Sequence, residues 1–149
     1  MSQNALPKVS IVTPSFNQAS FLEQTLRSVL EQDYPNLEYI VIDGGSTDGS
    51  VEIINKYADQ LAYWQSQPDQ GQTDAINQGF AHATGEILAW LNSDDLLLPG
   101  AVSAAVRALE EHPEAAMVYG DALLINAQGK TIGKFPAAQT DYRDRKSVV

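Results

Sequence analysis

Cysteine is absent from this chain of 149 residues. Its absence excludes a disulfide framework and catalysis by a thiolate, and it is compatible with a reducing compartment. No apolar run approaches the roughly 20 residues that a membrane-spanning helix needs. The N-terminal segment MSQNALPK also lacks the form of a secretory signal peptide. We therefore expect a cytoplasmic protein without a transmembrane segment, and contact with a membrane surface stays open.

Basic residues are scarce. The chain has 9 Lys and Arg against 19 Asp and Glu, and its formal net charge is -10 at pH 7. This balance argues against a nucleic-acid partner, because binding a phosphate backbone needs clustered Lys and Arg. None of the basic residues falls in the polar loops described below, so a phosphate held there would be neutralised by backbone amides or a metal ion. They occupy positions 8, 27, 56, 107, 130, 134, 143, 145 and 146.

Two common nucleotide-binding fingerprints are missing as well. A dinucleotide site needs G-x-G-x-x-G after the first strand, and the segment TPSFNQAS at that place has no glycine. The P-loop pattern G-x-x-x-x-G-K-[ST] occurs nowhere in the chain. These absences exclude a dinucleotide-dependent dehydrogenase and a P-loop nucleotidase.

Strand and helix patterns alternate along the chain. Apolar runs predict four strands, the first of them stopped by Pro14, and the last two place Trp64 and Trp90 in the core. Ser20 and Glu23 form a capping-box pair that predicts the start of the first helix. The alternation predicts right-handed βαβ units and a mostly parallel sheet with helices on both faces, which is a Rossmann-like α/β fold. The four runs are KVSIVT, LEYIVID, LAYWQSQ and EILAWLN.

The last third of the chain has a different pattern. Pro99 predicts the start of a fourth helix, and two apolar segments around AQG predict an antiparallel pair of strands. From about Pro136 the chain becomes polar and aperiodic. We predict one domain over residues 1–135 and a polar tail or truncated linker over 136–149.

Polar loops follow all four predicted strands. In parallel sheets the carboxyl ends of the strands share one edge, and ligands bind there. The sequence therefore predicts a single site built from these loops. They are TPSFN, DGGSTD, PDQGQTD and NSDD.

The NSDD loop places two carboxylates, Asp94 and Asp95, side by side. Mg²⁺ and Mn²⁺ commonly use one or two carboxylates together with substrate phosphates, so the pair indicates half of a metal shell. The alternative is that one of them caps the following helix or faces solvent. The three other strand ends favour the metal site.

The remaining loops each allow a structural and a functional interpretation. Gly44 and Gly45 let a ligand approach the backbone closely, or they belong to an ordinary turn in which Ser46, Thr47 or Asp48 caps the next helix. Phe16 offers a flat surface to a base and Asn17 a donor and an acceptor, or both belong to a turn fixed by Pro14. In the third loop, either Thr73 or Asp74 is expected as the helix cap, alone or together with an anion at the helix N-terminus. His82 and His112 are expected at the surface, outside the site.

These motifs together resemble the inverting family 2 glycosyltransferases, which have the A-type glycosyltransferase fold. The segment from VSIVTPSFN to VIDGGSTDGS is similar to the family's opening, and NQGFAHATGEILAWLNSDD is similar to its middle, including its D-x-D type acidic motif. The resemblance covers roughly residues 8–125. It implies the donor-binding portion of this nucleotide-diphospho-sugar transferase fold, truncated before the acceptor half.

The resemblance implies transfer of a sugar from a nucleotide diphosphate donor to an acceptor hydroxyl of a glycan, lipid or protein, in a setting such as polysaccharide biosynthesis. Asp95 is expected to hold Mn²⁺ or Mg²⁺, with Asp94 near the ribose and as a second metal ligand. A metal there would stabilise the departing diphosphate. The nucleotide-sugar-binding residues are expected to be Thr13, Pro14, Phe16, Asn17, Asp43, Gly44, Gly71, Asp74, Ser93 and Asp94.

The chain departs from the family pattern at several places. Many members have a second acid where this chain has Gly44, and that acid commonly reads a uracil ring, so the nucleotide is left open. Many also carry an Arg where this chain has Ile76. The family's catalytic base is an Asp or Glu well beyond the acidic motif, past Val149, so we expect this chain alone to transfer sugar poorly. Asp121 is the one candidate base, and local pairing is its alternative role.

Two other functions stay open. A non-catalytic domain that binds a nucleotide or nucleotide sugar would use the same loops. A receiver-like phosphoacceptor domain also clusters acids at strand ends, but it needs a Lys near those acids, and none is placed there. An uncovered apolar surface at the last strand or the tail would favour a homodimer.

Overall fold

The structure is a computed structural model that describes residues 6–137. The chain divides into two compact units, Met1–Val106 and Arg107–Val149. Most of the predicted polar tail, from residue 138 onward, lies outside the described residues.

The first unit alternates strands and helices as predicted. Its four strands are all parallel and lie in the order β3-β2-β1-β4. The elements are β1 (Val9–Ser15), α1 (Ala19–Leu30), β2 (Leu37–Asp43), α2 (Ser50–Tyr57), a 3₁₀ turn (Ala58–Gln60), β3 (Tyr63–Ser66), α3 (Gln72–His82), β4 (Ile87–Trp90) and α4 (Ala101–Glu111), which ends in the second unit.

Helices cover both faces of this sheet. Successive residues of a strand point to opposite faces, so Tyr39 and Val41 of β2 pack with α1, α2 and α4, whereas Ile40 and Ile42 pack with Ala75 of α3. The larger cluster takes its helix side chains from Leu22, Leu26, Val29, Ile54, Val102 and Val106. The predicted α/β class with a parallel sheet is confirmed.

Pro14 does not stop the first strand, which was a wrong prediction. β1 continues through Ser15 beside β2, and Pro14 pairs with Ile42. On the other side of β1, the Leu91 amide donates to the Val12 carbonyl, and the next position facing β4 is Pro14. Since proline has no N–H, Pro14 ends the ladder to β4 while leaving the ladder to β2 intact.

The predicted capping box of α1 is also wrong. The helix begins at Ala19 without a side-chain cap from its own N-terminus. Instead, the loop after β2 supplies the acceptors: Asp48 Oδ2 accepts from the Ala19 amide at 2.9 Å and Ser50 Oγ from the Gln18 amide at 3.2 Å. A long-range contact has therefore replaced the local cap, which no spacing rule within α1 could indicate.

Two further local predictions fail. The N-cap of α3 is Gly71, with no side-chain cap bond, so Thr73 and Asp74 lie within the first helical turn instead of capping it. Trp90 is 58% exposed instead of buried. It projects from β4 at the end of the described sheet, and α3 packs mainly on β1 and β2, so that face of β4 stays uncovered within this unit. Trp64 packs against the larger cluster, as expected.

The second unit contains the predicted antiparallel pair, β5 (Ala122–Ile125) and β6 (Thr131–Phe135). Asn126 closes the turn between them, because its side-chain oxygen accepts from the amides of Gln128 and Lys130, both at 3.0 Å. No helix among residues 6–137 combines the length and the apolar character that crossing a membrane requires.

Gly79 sets the distance between α3 and β1. A Cβ at this position would lie 2.3 Å from Cγ1 of Val12, far inside van der Waals contact. We predict that Gly79→Ala lowers the free energy of unfolding by roughly 1–3 kcal/mol, because the helix must move off the sheet. Urea denaturation measures this change. Asn77→Ala, at an exposed position of the same helix, is the control and should change stability by less than about 0.5 kcal/mol. Equal stability of the two variants would contradict the close packing.

Candidate functional site

The strand order places a topological switch point between β1 and β4. From β1 the chain continues to β2 and β3 on one side, and it returns to add β4 on the other. Ligands of open α/β sheets bind in the crevice at such a point, outside the carboxyl ends of the strands. The β1–β4 pairing ends at Val12, three residues before β1 itself ends, so the two strands are not paired next to this crevice.

A cavity of about 810 Å³ opens at this edge of the sheet. Its volume falls in the roughly 300–1,000 Å³ range of small-molecule sites. All four strand-end loops contribute to the lining, together with the start of α3. The lining residues are Pro14, Ser15, Phe16, Gln18, Gly44, Gly45, Pro68, Asp69, Gly71, Gln72, Ala75, Asn92, Ser93 and Asp94.

Six of the residues predicted for the site line the cavity, and five do not. Those that line it are Pro14, Phe16, Gly44, Gly71, Ser93 and Asp94; those that do not are Thr13, Asn17, Asp43, Asp74 and Asp95. Each member of the second group has hydrogen bonds within the protein, described below. Their roles toward a ligand stay predictions.

Asp43 is fully buried at the end of β2, and its carboxylate holds the loops together. Oδ2 accepts from the amides of Gly45 at 3.1 Å and Ser46 at 2.8 Å, and from the Ser66 hydroxyl at 2.7 Å. Oδ1 accepts from the Ser46 hydroxyl at 2.5 Å. Four donors around one carboxylate offset the cost of burying it. Asp43 therefore fixes the β2 loop to the end of β3.

Asn17 joins the β1 loop to the β2 loop. Its backbone has φ 53°, a conformation that asparagine tolerates better than most residues. Its amide donates to Ser46 Oγ at 2.8 Å, and its side-chain oxygen accepts from the Thr47 amide at 3.0 Å. Asp48 completes the junction at α1: hydrogen bonds from the Ser50 hydroxyl and the Ala19 amide lower the pKa of Asp48 and keep it ionised.

Two more predicted residues have structural partners. The Thr13 hydroxyl is buried and shares a hydrogen bond of 2.9 Å with the Tyr39 hydroxyl. Asp74 Oδ2 accepts from the Gln70 amide at 3.0 Å and from Gln78 Nε2 at 2.8 Å, which fixes the loop before α3 to the helix. Asp74 thus orders the β3–α3 loop without reaching the lining of the cavity.

The NSDD loop is held from two sides. The buried Thr25 hydroxyl of α1 donates to the carbonyls of Ser93 and Asp95, both at 2.9 Å. Gln72 Nε2, at the start of α3, donates to Asn92 Oδ1 at 2.6 Å. These contacts fix the backbone and leave both acidic side chains exposed. Among the described residues, Asp95 has a side-chain partner, Asn92 Nδ2 at 3.1 Å from Oδ2, and Asp94 has none.

The charged side chains in the described lining of the cavity are acidic. Asp69 and Asp94 line it, and no Lys, Arg or His is among the described lining residues. Within residues 6–137, the ion pairs involve neither of these acids nor Asp95. The same part of the chain contains no cluster of three or more His, Cys, Asp or Glu that could enclose a metal. Adjacent carboxylates without a cationic partner still fit Mg²⁺ or Mn²⁺, because these ions take one or two protein carboxylates and complete their shell with phosphates and water.

Sequence reasoning missed half of the lining. Asp69 and Gln72 belong to the PDQGQTD loop that the pattern had singled out, but nothing in the pattern distinguished them from their neighbours. Ala75 and Gln18 reach the cavity only through the positions of their helices. Ser15 shows a different feature: its hydroxyl is buried and has no hydrogen-bond partner in the described part of the chain. Gly45, singled out beside Gly44, also lines the cavity; the missed residues are Ser15, Gln18, Pro68, Asp69, Gln72, Ala75 and Asn92.

Asp121, the candidate base, pairs locally in the second unit. Its Oδ2 lies 2.5 Å from Lys134 Nζ, and its Oδ1 accepts from the Ala137 amide at 2.8 Å. The hydrogen bond from Lys134 and then that from Ala137 lower the pKa of Asp121. A lowered pKa makes a carboxylate a weaker proton acceptor, so these contacts favour its structural role.

The fold is that of a Rossmann-like α/β protein, with a cavity at the switch point of its sheet. The chain belongs to glycosyl transferase family 2, since the sequence model of that family matches residues 10–140. This confirms the resemblance inferred from the motifs.

Two mycobacterial relatives illustrate the similarity. An uncharacterized glycosyltransferase of Mycobacterium tuberculosis is 44% identical over 116 residues, which are 76% of this chain and 44% of the relative. A PGL/p-HBAD biosynthesis glycosyltransferase of Mycobacterium bovis is 36% identical over 135 residues, or 88% of this chain and 53% of the relative. The chain thus spans about half the length of these relatives.

Solved structures agree with the fold. The mannosyltransferase PcManGT from Pyrobaculum calidifontis, in complex with GDP-Man and Mn²⁺, has a TM-score of 0.66 and 30% identity; the match covers 83% of this chain and 37% of that one. TarS 1–349 of S. aureus, in complex with UDP-GlcNAc, has a TM-score of 0.65 and 27% identity, covering 71% and 32%. The fold is the A-type glycosyltransferase fold that the motifs implied.

The network around Asp43 yields a stability prediction. Asp43→Ala removes the acceptor of four donors, two of them backbone amides, and should lower the free energy of unfolding by roughly 2–4 kcal/mol. Chemical denaturation measures the loss. Asp59→Asn, at an exposed position of the 3₁₀ turn, is the matched control and should be neutral. A neutral Asp43→Ala variant would show that these hydrogen bonds do not hold the loops.

Proposed function

We propose that this chain is the donor-binding part of an inverting glycosyltransferase, which transfers a sugar from a nucleotide diphosphate sugar to an acceptor hydroxyl with the help of a divalent metal. One observation carries the proposal. The cavity at the switch point presents the carboxylates of Asp69 and Asp94 and has no cationic side chain in its described lining. A diphosphate would be repelled by these acids unless a metal ion stood between them.

The lining suggests how the donor lies in the cavity. Asp94 of the NSDD loop, at the end of β4, lines the cavity and suits the metal and the diphosphate, whereas Phe16 after β1 and Pro68 after β3 offer flat apolar surface. β4 and β3 are three strand spacings apart, which is about 14 Å and suits an extended nucleoside diphosphate. The N-terminus of α3 also lines the cavity at Gly71 and Gln72. The Gly71 amide already donates to Asp69 Oδ1, so an anion there would be met by the following amides of the first helical turn.

Asp95 and Asp94 are the residues that would hold Mn²⁺ or Mg²⁺. The bound metal would act as a Lewis acid that stabilises charge on the departing diphosphate. The chain's own part is to hold the acids in place: Thr25 fixes the backbone on both sides of Asp94, and Asn92 Nδ2 orients the Asp95 carboxylate. A preorganised pair of ligands loses little conformational freedom when the metal binds.

The two solved structures support both the ligand class and the metal, because one was obtained with GDP-Man and Mn²⁺ and the other with UDP-GlcNAc. They differ in the nucleobase and in the sugar, so they leave the particular donor open for this chain. The acceptor, whether glycan, lipid or protein, is left open as well, since this chain spans only about half the length of the relatives.

The first functional prediction is metal-dependent nucleotide binding. Calorimetry with UDP, GDP and dTDP, each in Mn²⁺ and in EDTA, should show binding of at least one nucleotide that weakens about tenfold or more when the metal is removed. The reason is that the acids and the diphosphate repel each other across the cavity. Equal affinity in EDTA would overturn the metal role.

The second functional prediction concerns Asp95, the proposed metal ligand. Asp95→Asn should abolish most of the metal-dependent gain in affinity while the thermal unfolding midpoint stays within about 2 °C, because an exposed side chain contributes little to packing. Asp59→Asn removes the same charge at an exposed position outside the cavity and should retain full metal dependence. If Asp95→Asn unfolds the protein, the residue has a structural role instead.

A further inference from the structure

We infer that Asp69 is a specificity-determining residue of the donor site, and that its carboxylate selects nucleobases with a ring N–H, namely uracil, thymine and guanine, over cytosine and adenine. This inference rests on the proposed function, since it assumes that a nucleotide occupies the cavity.

The carboxylate of Asp69 is anchored and still has a free acceptor. Oδ1 accepts from the Gly71 amide at 2.8 Å, which fixes the side chain in the loop before α3. No hydrogen bond within the described residues uses Oδ2. Asp69 is half-buried and lines the cavity, so an acceptor of fixed direction is available to a ligand.

Gly44 makes room for this carboxylate. A Cβ at position 44 would lie 3.0 Å from Asp69 Oδ2 and 3.2 Å from Oδ1, so a larger residue would compete for the space that the acid occupies. Gly44 has no positive φ, so turn geometry does not require glycine there. The close approach of Asp69 is the constraint that the structure shows at this position.

The cavity that Asp69 lines also offers apolar surface to a base. Phe16 is 62% exposed and lines the same cavity, so its ring face is available for stacking against a planar ligand. Pro68 and Gly45 line the cavity nearby, where a Cβ on Gly45 would lie 3.2 Å from the Pro68 nitrogen. Gly45 follows β2 and Asp69 follows β3, whereas Asp94 follows β4, so the base and the diphosphate would occupy different parts of this edge of the sheet.

The chemistry of an ionised carboxylate then decides the base. It accepts hydrogen bonds and cannot donate them. Uracil and thymine offer N3–H, and guanine offers N1–H beside its exocyclic amine. Cytosine N3 and adenine N1 are acceptors, so a carboxylate that faces the ring nitrogen would meet a lone pair. These two bases can donate only from the exocyclic amine beside that nitrogen, which would require the base to shift from the position that suits uracil and guanine. A hydrogen bond to a charged group is worth about 1.5–3 kcal/mol, so we expect discrimination of at least about tenfold.

The test compares UDP, GDP, CDP and ADP by calorimetry in saturating Mn²⁺. The wild-type protein should bind UDP or GDP at least about tenfold more tightly than CDP and ADP. Asp69→Asn keeps an oxygen for the Gly71 amide but places a donor in the side chain. It should weaken UDP and GDP about tenfold and leave CDP unchanged or improved, so that the ranking collapses. The exposed-acid control Asp59→Asn should keep the wild-type ranking.

Gly44→Ala provides a second route to the same contact, because its methyl group would displace the carboxylate without removing it. It should also reduce the preference for UDP and GDP over CDP, and it decides the matter if Asp69→Asn proves unfolded by circular dichroism. An unchanged ranking in the folded variants, or an equal loss for all four nucleotides, would overturn the role of Asp69 while leaving nucleotide binding intact. Failure of the wild-type protein to bind any nucleotide would instead overturn the proposed function and this inference with it.

Discussion

The buried carboxylate of Asp43 is the interaction on which the edge of the sheet depends. Its four hydrogen bonds tie the β2 loop to the end of β3, and Ser46, which supplies two of them, also accepts from the Asn17 amide in the β1 loop. A buried charge is costly unless every lone pair is used. The same cost makes the arrangement specific, because any other loop conformation would leave the carboxylate unpaired.

The acids at this edge of the sheet differ in what surrounds them. The fully buried acid faces protein donors, whereas the acids that reach the cavity, Asp69 and Asp94, retain oxygens without a protein cation. Like charges repel more strongly where water is partly excluded, so the folded protein tolerates an unfavourable potential at the edge of its sheet. Binding sites commonly retain such local conflicts, since the ligand or its metal supplies the missing opposite charge.

Family membership and site geometry bear on different questions. The match over residues 10–140 shows the family and the α/β fold, and the neighbouring structures show that folds of this kind have been solved with nucleotide sugars. The cavity shows which side chains of this chain are available to such a ligand. Asp69 illustrates the difference, because its contact with Gly44 joins two loops that are distant in sequence.

The sequence by itself determined the order of the elements, the parallel sheet and the edge at which the site lies. Apolar periodicity and the polar strand ends are local signals, and burial of a two-sided sheet leaves few alternatives to them. The sequence did not determine which hydrogen bonds the loops and strand ends form. Asp48 caps α1 from another loop, and Pro14 continues one ladder while ending another, because hydrogen-bond partners are set by neighbours in space.

The tertiary structure alone decided which polar residues face the cavity. Asp43 and Asp94 both follow apolar strands and both belong to acidic loops, so their patterns look alike. Yet Asp43 is fully buried among donors and Asp94 is exposed at the cavity. The β2 loop folds back over Asp43, whereas Thr25 holds the NSDD backbone and leaves its acids outward. That difference arises from long-range contacts, which no local spacing encodes.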